Sequence, residues 1–391
     1  MPSVDSLAGD GIELLRRLVA FDTTSRDSNL ALIEYVEALL GSLSIGTTRV
    51  PNADGGKTNL YATIGPKIER GIILSGHTDV VPVDGQNWSS DPFTLTEREG
   101  RLYGRGTCDM KGFLALALAA APLFAEPGRL HRPIHLAFSY DEEVGCLGAP
   151  AMIAEMRRLL PRPAAVIVGE PTNMEVVHGH KGITSYVVTV TGHEAHSSLT
   201  HLGLSANMAA IGLMHRLTEL AARLELEADP ASPFVPGHAT LTVGQINGGT
   251  AVNILARECV FVFDLRCPPG TDPQAILATF LAEAKVLDAA MKSRFADAGV
   301  TIVRRSATPA FAPEPDGEAE RVARSLTGDN GPPRVVAYAA EAGQFQEAGF
   351  STVICGPGSI EQAHQPDEYV ERGQMERGAA FMLRLVNMLS T

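Results

Sequence analysis

The sequence predicts an α/β protein with a mainly parallel sheet covered by helices on both faces, plus a smaller inserted α+β domain. Two observations predict this fold class. In the first and last parts of the chain, short apolar runs bounded by turn residues alternate with helical patterns, as in a parallel sheet. The middle instead has the order βαββαβ, which is typical of a small split domain. We therefore expect a larger domain formed by residues 1–180 and 307–391, interrupted by an inserted domain at residues 181–306.

Apolar runs of strand length predict the sheet of the larger domain, because they are too short for helices and end at turn residues. They are residues 71–76, 134–140, 165–168 and 351–355. Helical periodicity occurs between and around them, at residues 12–18, 30–43, 110–124, 317–326 and 371–389. Strand, helix and strand in succession favour parallel pairing with helices on the faces of the sheet.

The inserted domain is predicted from its own succession of patterns. Strands are expected at residues 183–190, 238–246, 258–265 and 300–304, and helices at residues 205–222 and 273–290. A proline-rich linker at residues 309–315 then returns the chain to the larger domain.

Composition excludes several classes of protein. The 391 residues suit two domains, and a net charge of -13 without a Lys/Arg run argues against a nucleic-acid partner. Five scattered cysteines without a CxxC pair favour a reducing compartment. The N-terminus does not resemble a signal peptide, and the most apolar stretch, residues 113–125, is too short to span a bilayer. We expect a cytoplasmic protein that does not enter a membrane.

Ionisable residues follow each of the four predicted strands of the larger domain. They are His77 and Asp79, the run Asp141 to Glu143, Glu170, and His364. In an open parallel sheet, ligands bind outside the carboxyl ends of the strands, so these side chains should gather at one edge. Asp109, in the glycine-rich loop before the helix at residues 110–124, could join them.

Two histidines and three to four carboxylates suit two divalent ions of zinc or cobalt type. One carboxylate can bridge two ions about 3.5 to 4 Å apart, and another acid should stay off the metals to accept a proton from water. Glu142 and Glu143 offer these two roles, and their position alone leaves open which takes which. Singly, each residue has an ordinary interpretation as a capped turn or a helix N-terminus. Their common position at strand ends favours the metal site.

At these residues the chain resembles the co-catalytic zinc amidohydrolases, a family that includes acetylornithine deacetylases, succinyl-diaminopimelate desuccinylases, aminoacylases and carboxypeptidases. The resemblance covers nearly the whole chain. It is carried by residues 75–82, 88–93, 102–112, 141–145 and 169–172. One departure is Ala256, which stands where the family usually has proline, and this should not affect the chemistry.

The resemblance implies a role for each candidate of the larger domain. His77 and Glu170 would bind one metal ion, Glu143 and His364 the other. Asp109 would bridge both ions. Glu142 would be the general base, and Asp79 would orient the imidazole of His77 from outside the ligand set.

Further roles implied by the resemblance fall in the inserted domain. Residues 192–198 resemble the segment whose second histidine, here His196, stabilises the oxyanion in the partner subunit's site. Asn253 and Arg266 resemble the family's grip on a substrate carboxylate. The resemblance therefore implies a homodimer formed through the inserted dimerisation (lid) domain, with a small N-acyl amino acid as substrate.

Within the family, residues 180–182, 341–349 and 355–369 resemble the enzymes that deacetylate N2-acetyl-L-ornithine in arginine biosynthesis. Glu341 is the candidate receptor for the ornithine ammonium, although it could equally cap the helix that follows it. Another deacylase of the family (a desuccinylase, an aminoacylase or a dipeptidase) is the main alternative. A non-catalytic binding protein on the same fold is less favoured, because all the metal and base positions are filled.

Overall fold

The computed structural model describes residues Met1–Thr391, which form two compact units. The first comprises Met1–Gly179, Phe311–Val335 and Ala340–Thr391, and the second comprises His180–Ala310 with Val336–Ala339. The chain thus leaves the first unit twice, once for the long segment His180–Ala310 and once for the short segment Val336–Ala339.

Nine α-helices are present. They are α1 (Val4–Val19), α2 (Leu30–Ser42), α3 (Gly112–Phe124), α4 (Ala149–Leu159), α5 (Ala206–Leu226), α6 (Pro273–Arg294), α7 (Glu318–Thr327), α8 (Ala342–Glu347) and α9 (Arg372–Leu389).

Fifteen strands accompany them. They are β1 (Thr47–Pro51), β2 (Thr58–Ile64), β3 (Ile72–His77), β4 (Thr96–Arg98), β5 (Arg101–Tyr103), β6 (Ile134–Ser139), β7 (Ala165–Pro171), β8 (Val177–His180), β9 (Gly182–Thr191), β10 (Thr240–Gly248), β11 (Glu258–Cys267), β12 (Gly299–Thr308), β13 (Arg334–Val336), β14 (Thr352–Gly356) and β15 (Tyr369–Glu371).

An eight-stranded sheet forms the centre of the first unit, in the order β1-β2-β6-β3-β7-β14-β8-β13. The four strands β6, β3, β7 and β14 are parallel to one another, whereas β2 pairs antiparallel with β6. These parallel strands are fully buried, as their continuous apolar runs predict. The predicted fold class is confirmed for this unit.

Helix α3 is almost entirely buried, because it packs against α1, α9 and the strands β3, β6 and β7. The stretch Thr107–Phe124 is long and apolar enough to cross a membrane by composition, but 89% of it is buried inside the protein. Burial within the fold accounts for its apolar character.

The second unit has a four-stranded antiparallel sheet in the order β10-β11-β9-β12, with α5 and α6 packed on it. Its elements run β9-α5-β10-β11-α6-β12 along the chain, which confirms the predicted βαββαβ order. Alternating burial along β9 and β11 shows that one face of the sheet covers the unit's core. Strand β10 lies at an edge and is largely exposed.

Several elements were not predicted. Strands β1 and β2 extend the sheet beyond β6, α4 follows the loop after β6, and β4, β5 and β15 form a separate small sheet. Strand β15 pairs with β5 across a long stretch of chain, so local sequence pattern carries little signal for it.

Candidate metal centre

The carboxyl ends of the central strands carry most of the predicted donors. Strand β3 ends at His77, β7 contains Glu170, and β6 ends at Ser139 shortly before Glu142. These strands are parallel neighbours, so their carboxyl ends lie at one edge of the sheet. Strand β14, parallel to β7, leads through a short 3-10 turn to His364. The topology therefore concentrates the donors in one place.

Two groups of potential metal ligands form there, and Asp109 belongs to both. Within each group the donor atoms lie within 4.8 Å of one another, and the groups are His77, Asp109 and Glu170, and Asp109, Glu143 and His364. Oδ1 of Asp109 lies 3.0 Å from Nε2 of His77, and Oδ2 lies 3.3 Å from Nε2 of His364. Two oxygens of one carboxylate thus face two imidazoles, as a bridging ligand requires.

The loop before α3 sets the position of Asp109. Gly106 has a φ of +81°, and a Cβ at this position would lie 2.7 Å from a methyl carbon of Val80. Only glycine fits such a backbone at such a close approach. The following turn, Thr107–Lys111, departs from helical dihedral angles at Asp109 itself. This departure leaves the Asp109 carboxylate among the donors before α3 begins.

Asp79 contacts His77 differently from the predicted arrangement. Nδ1 of His77 lies 2.9 Å from the backbone carbonyl oxygen of Asp79, whereas the nearest carboxylate oxygen is 3.7 Å away. The carboxylate instead accepts hydrogen bonds from Ser25 Oγ (2.7 Å) and from the backbone N–H groups of Glu142 (3.1 Å) and Glu143 (3.3 Å). Asp79 therefore orients His77 through its main chain and the two glutamates through its side chain.

Glu142 lies beside the donor groups but belongs to neither of them. Its Oε1 accepts a hydrogen bond from the thiol of Cys146, 3.2 Å away. Burial raises the pKa of the Glu142 carboxyl well above its usual value, although the nearby His77 opposes this shift. A raised pKa brings a carboxyl closer to the range in which a general base works.

Too many carboxylates converge for the two histidines to neutralise. Burial, and then the charge of Asp109, raises the pKa of Glu143 to about 7 and that of Glu170 well above its usual value. Burial lowers the pKa of His77, but Asp109 more than reverses this and raises it well above its usual value. Hydrogen bonds to Asp109 and Glu143 raise the pKa of His364 to about 11. Such a donor set fits divalent cations, which would relieve the repulsion.

Glu341, the proposed ammonium receptor, is 1% exposed. Its Oε2 lies 3.3 Å from Ser75 Oγ, and its Oε1 has no hydrogen-bond partner. The carboxylate accepts no hydrogen bond from the N-terminus of α8. The alternative that Glu341 caps this helix through a side-chain hydrogen bond is therefore wrong. Burial raises its pKa, and the nearby Ser139 hydroxyl and the charge of His77 oppose this shift. Glu341 is thus a buried acid close to the donors.

The remaining candidates lie in the second unit. Nδ1 of His196 is 2.8 Å from Ser198 Oγ, and the backbone N–H of Ser197 donates to the carbonyl of Asn253 across 2.9 Å. The segments of His196 and Asn253 are therefore neighbours, and both side chains are exposed. Nε of Arg266, on β11, donates to Asp264 across 3.1 Å.

Two side chains that hold the site's loops are not among the predicted site residues. Ser25 bonds to Asp79, and Glu368 bonds to the loop of Asp109. Glu368 lies within residues 355–369, which carry part of the resemblance, and its position shortly after His364 is the signal in the sequence that places it near the site.

Comparison with known proteins tests the resemblance. The model of "Peptidase family M20/M25/M40" matches residues 73–388. The acetylornithine deacetylase of Proteus mirabilis is 36% identical over 387 residues, covering 96% of this chain and 95% of that protein.

Solved structures give the same fold. An M20 family metallo-carboxypeptidase from Sulfolobus solfataricus aligns with a TM-score of 0.75 at 18% identity, covering 97% of this chain and 99% of that one. A dinuclear metal-binding M20 peptidase from Bacillus subtilis aligns with a TM-score of 0.64 at 14% identity, covering 98% of each chain. The family resemblance is confirmed. The chain therefore belongs to peptidase family M20/M25/M40 and is a metal-dependent hydrolase.

Proposed function

We propose that this enzyme hydrolyses N2-acetyl-L-ornithine to L-ornithine and acetate, in the cytoplasm, as a step of arginine biosynthesis. The observation that carries the proposal is the pair of donor groups that share Asp109, with Glu142 beside them. The similarity to a curated acetylornithine deacetylase over 95% of that protein's length supports the choice of substrate.

Two divalent ions, zinc or cobalt, would be held by the two groups. His77 and Glu170 would bind one ion, Glu143 and His364 the other, and Asp109 both. When bound, such ions polarise an amide carbonyl and lower the pKa of a water between them.

The chain's own residues would then move the proton. Glu142 would accept it from the attacking water and return it to the leaving amine of ornithine. Hydrogen bonds from its backbone and from that of Glu143 to Asp79 keep the loop in place during this transfer. His196 would donate a hydrogen bond to the oxyanion.

Substrate recognition would require an anion receptor and a cation receptor. The Arg266 guanidinium suits the α-carboxylate, because its planar fork matches carboxylate geometry, and Asn253 would add an amide donor. Glu341 would receive the δ-ammonium. Its unpartnered Oε1, buried near the donors, is the feature that supports this assignment.

The second unit offers a surface for a homodimer. Strand β10 is an open sheet edge, which natural proteins normally cover or blunt. Helices α5 and α6 expose large apolar side chains, namely Met208 (70% exposed), Ile211 (54%) and Val286 (71%). We infer that a second copy covers this surface, and that its His196 completes the site of the first.

A substrate panel tests the proposed function. Protein loaded with zinc or cobalt should have its highest kcat/KM on N2-acetylornithine, and lower values on succinyl-diaminopimelate, acetylmethionine and a dipeptide. Glu142→Gln protein, assayed on the same panel, controls for contaminating hydrolases. A higher kcat/KM on any of the other three substrates would contradict the proposal, and that substrate would then be assigned to the enzyme instead of acetylornithine.

A further inference from the structure

The carboxylate of Glu368 is buried against the loop that carries Asp109. Its side chain is 1% exposed and lies on the segment that follows His364. Oε2 accepts a hydrogen bond from the backbone N–H of Gly106 (2.9 Å), and Oε1 accepts from those of Cys108 (3.0 Å) and Asp109 (3.2 Å). One side chain thus accepts hydrogen bonds from three backbone N–H groups of the loop.

The backbone N–H groups of this loop require an acceptor from outside the loop. The backbone departs from helical dihedral angles at Asp109 and is left-handed at Gly106, so this stretch lacks the regular bonding of a helix. A buried N–H without a partner destabilises the folded state, because it has lost the hydrogen bond that it makes with water in the unfolded chain. Glu368 satisfies three of them at once, and in doing so fixes where the Asp109 backbone lies.

Glu368 is also tied to the loop of His364. Nη1 of Arg105 donates to Oε2 of Glu368 across 2.7 Å, and Nη2 of the same guanidinium donates to Oε1 of Gln86 across 2.5 Å. Nε2 of Gln86 in turn donates to the backbone carbonyl of His364 across 2.9 Å. A continuous chain of hydrogen bonds therefore connects the backbone of His364 to the backbone of Asp109.

His364 needs this support because its own backbone is unusual. Its φ is +63°, a conformation that non-glycine residues adopt only when surrounding contacts hold it, and its side chain is 52% exposed. The exposed imidazole gains little from packing. The hydrogen bond from Gln86 to its carbonyl holds the turn from outside, together with the hydrogen bond from Arg105 to the carbonyl of Gln365 (3.4 Å) and that from the Ser89 backbone to Asp367 (2.9 Å).

We propose that Glu368 is a positioning residue. It fixes the backbone of Asp109 relative to that of His364, so that the Asp109 carboxylate reaches both His77 and His364. The inference rests on the proposed two-metal function of the site. A simple ion pair with buried Arg105 would need only one carboxylate oxygen, whereas here both oxygens are used by the loop. Glu368 belongs to neither donor group; it acts through its hydrogen bond to the backbone of Asp109.

The test compares Glu368→Gln with Glu371→Gln, which removes the same charge from an exposed position three residues further along. Glutamine keeps one acceptor oxygen, but its amide nitrogen cannot accept from Arg105 and Gly106. Metal-free proteins are titrated with zinc by calorimetry, and cobalt-loaded proteins are examined by visible absorption. Glu368→Gln should bind zinc roughly 10- to 100-fold more weakly, as is usual when a partner outside the ligand set is lost.

The cobalt spectrum separates positioning from a merely structural role. Glu368→Gln should change the position or intensity of the cobalt bands, because the ligand geometry shifts, while Glu371→Gln should match the wild type. Unchanged zinc affinity and cobalt bands in Glu368→Gln would overturn the inference. If that variant does not fold, Glu368→Asp keeps the charge on a shorter side chain, and it should show the same weakening and spectral change; wild-type values would overturn the inference. Wild-type protein that binds fewer than two ions would instead contradict the two-metal proposal.

Discussion

The backbone N–H of Glu142 donates a hydrogen bond to Oδ1 of Asp79 across 3.1 Å. The candidate base is thus joined to the residue whose backbone carbonyl orients His77. Asp79 belongs to the loop after β3 and Glu142 to the loop after β6, so this bond ties two neighbouring strand ends together. Asp79 is only 2% exposed, and this hydrogen bond is one of those that satisfy its buried carboxylate oxygens.

Asp79→Asn should reduce kcat/KM by roughly 10- to 100-fold, the usual effect of losing a partner outside the ligand set. Asparagine offers one acceptor oxygen, so it cannot accept from Ser25, Glu142 and Glu143 together as the two carboxylate oxygens do. Asp84→Asn, at an exposed position of the same loop, is the control and should behave like the wild type. Steady-state kinetics on both variants checks this. Equal, small effects would mean that the Asp79 contacts do not limit the reaction.

Glu142→Gln should keep the enzyme's full complement of metal but lose roughly 10²- to 10⁴-fold in kcat, the span expected for a general base. Glutamine preserves the shape of the side chain and cannot take a proton. Metal analysis by atomic absorption and steady-state kinetics measure the two properties separately. Loss of bound metal in this variant would mean that Glu142 and Glu143 have been assigned each other's roles.

His196→Ala and Glu142→Ala should each be nearly inactive, and mixing them under conditions that exchange subunits should restore activity. One site of each heterodimer would then contain both intact residues. Differently tagged subunits allow heterodimers to be purified before the assay. If purified heterodimers stay inactive, His196 serves its own subunit or has only a structural role.

Glu341→Gln should reduce kcat/KM on acetylornithine by roughly tenfold to more than a hundredfold, because a hydrogen bond to a charged group is worth about 1.5–3 kcal/mol. The substrate's δ-ammonium would lose its anionic partner. Acetylmethionine lacks this charge, so its kcat/KM should change little. Equal losses on both substrates would show that buried Glu341 supports the fold near Ser75 rather than the ornithine side chain.

His135 should make the stability of the metal-free protein depend on pH. Burial lowers its pKa to about 4, and only Nδ1 has a partner, Thr63 Oγ1 at 2.9 Å. Because the unfolded imidazole has a pKa of about 6.5, the unfolded state binds the extra proton first as the pH falls. Stability is therefore complete above pH 6.5 and is lost between pH 6.5 and 4, by about 3 kcal/mol for this group.

His135→Gln removes this titration while keeping a hydrogen-bonding side chain for Thr63. Urea unfolding at several pH values should show a smaller loss of stability below pH 6.5 than in the wild type. The difference between the two proteins isolates His135 from the acids that titrate in both. Parallel curves for wild type and variant would contradict the prediction.

The pattern of apolar and polar residues within short stretches of sequence predicted the helices and strands whose burial is continuous or strongly periodic. Strands β3, β6, β7 and β14 were found because uninterrupted apolar runs mark strands buried on both faces. Strand β1 was missed because most of its side chains are exposed, which leaves no apolar run. Strand β15 was missed because three residues pair with β5 far along the chain, and such pairing has no local signature.

The amino-acid sequence by itself determined the inventory of the site. It specifies apolar strands that end in His77, Glu142, Glu143 and Glu170, and parallel strands with a common direction must present those residues at one edge. Only the tertiary structure decided how they are used. Asp109 reaches both histidines, Asp79 supports His77 through its carbonyl, and Glu368 holds the Asp109 loop. These relationships depend on loop backbones held by hydrogen bonds between residues far apart in the chain, and periodicity within a short window of sequence does not contain them.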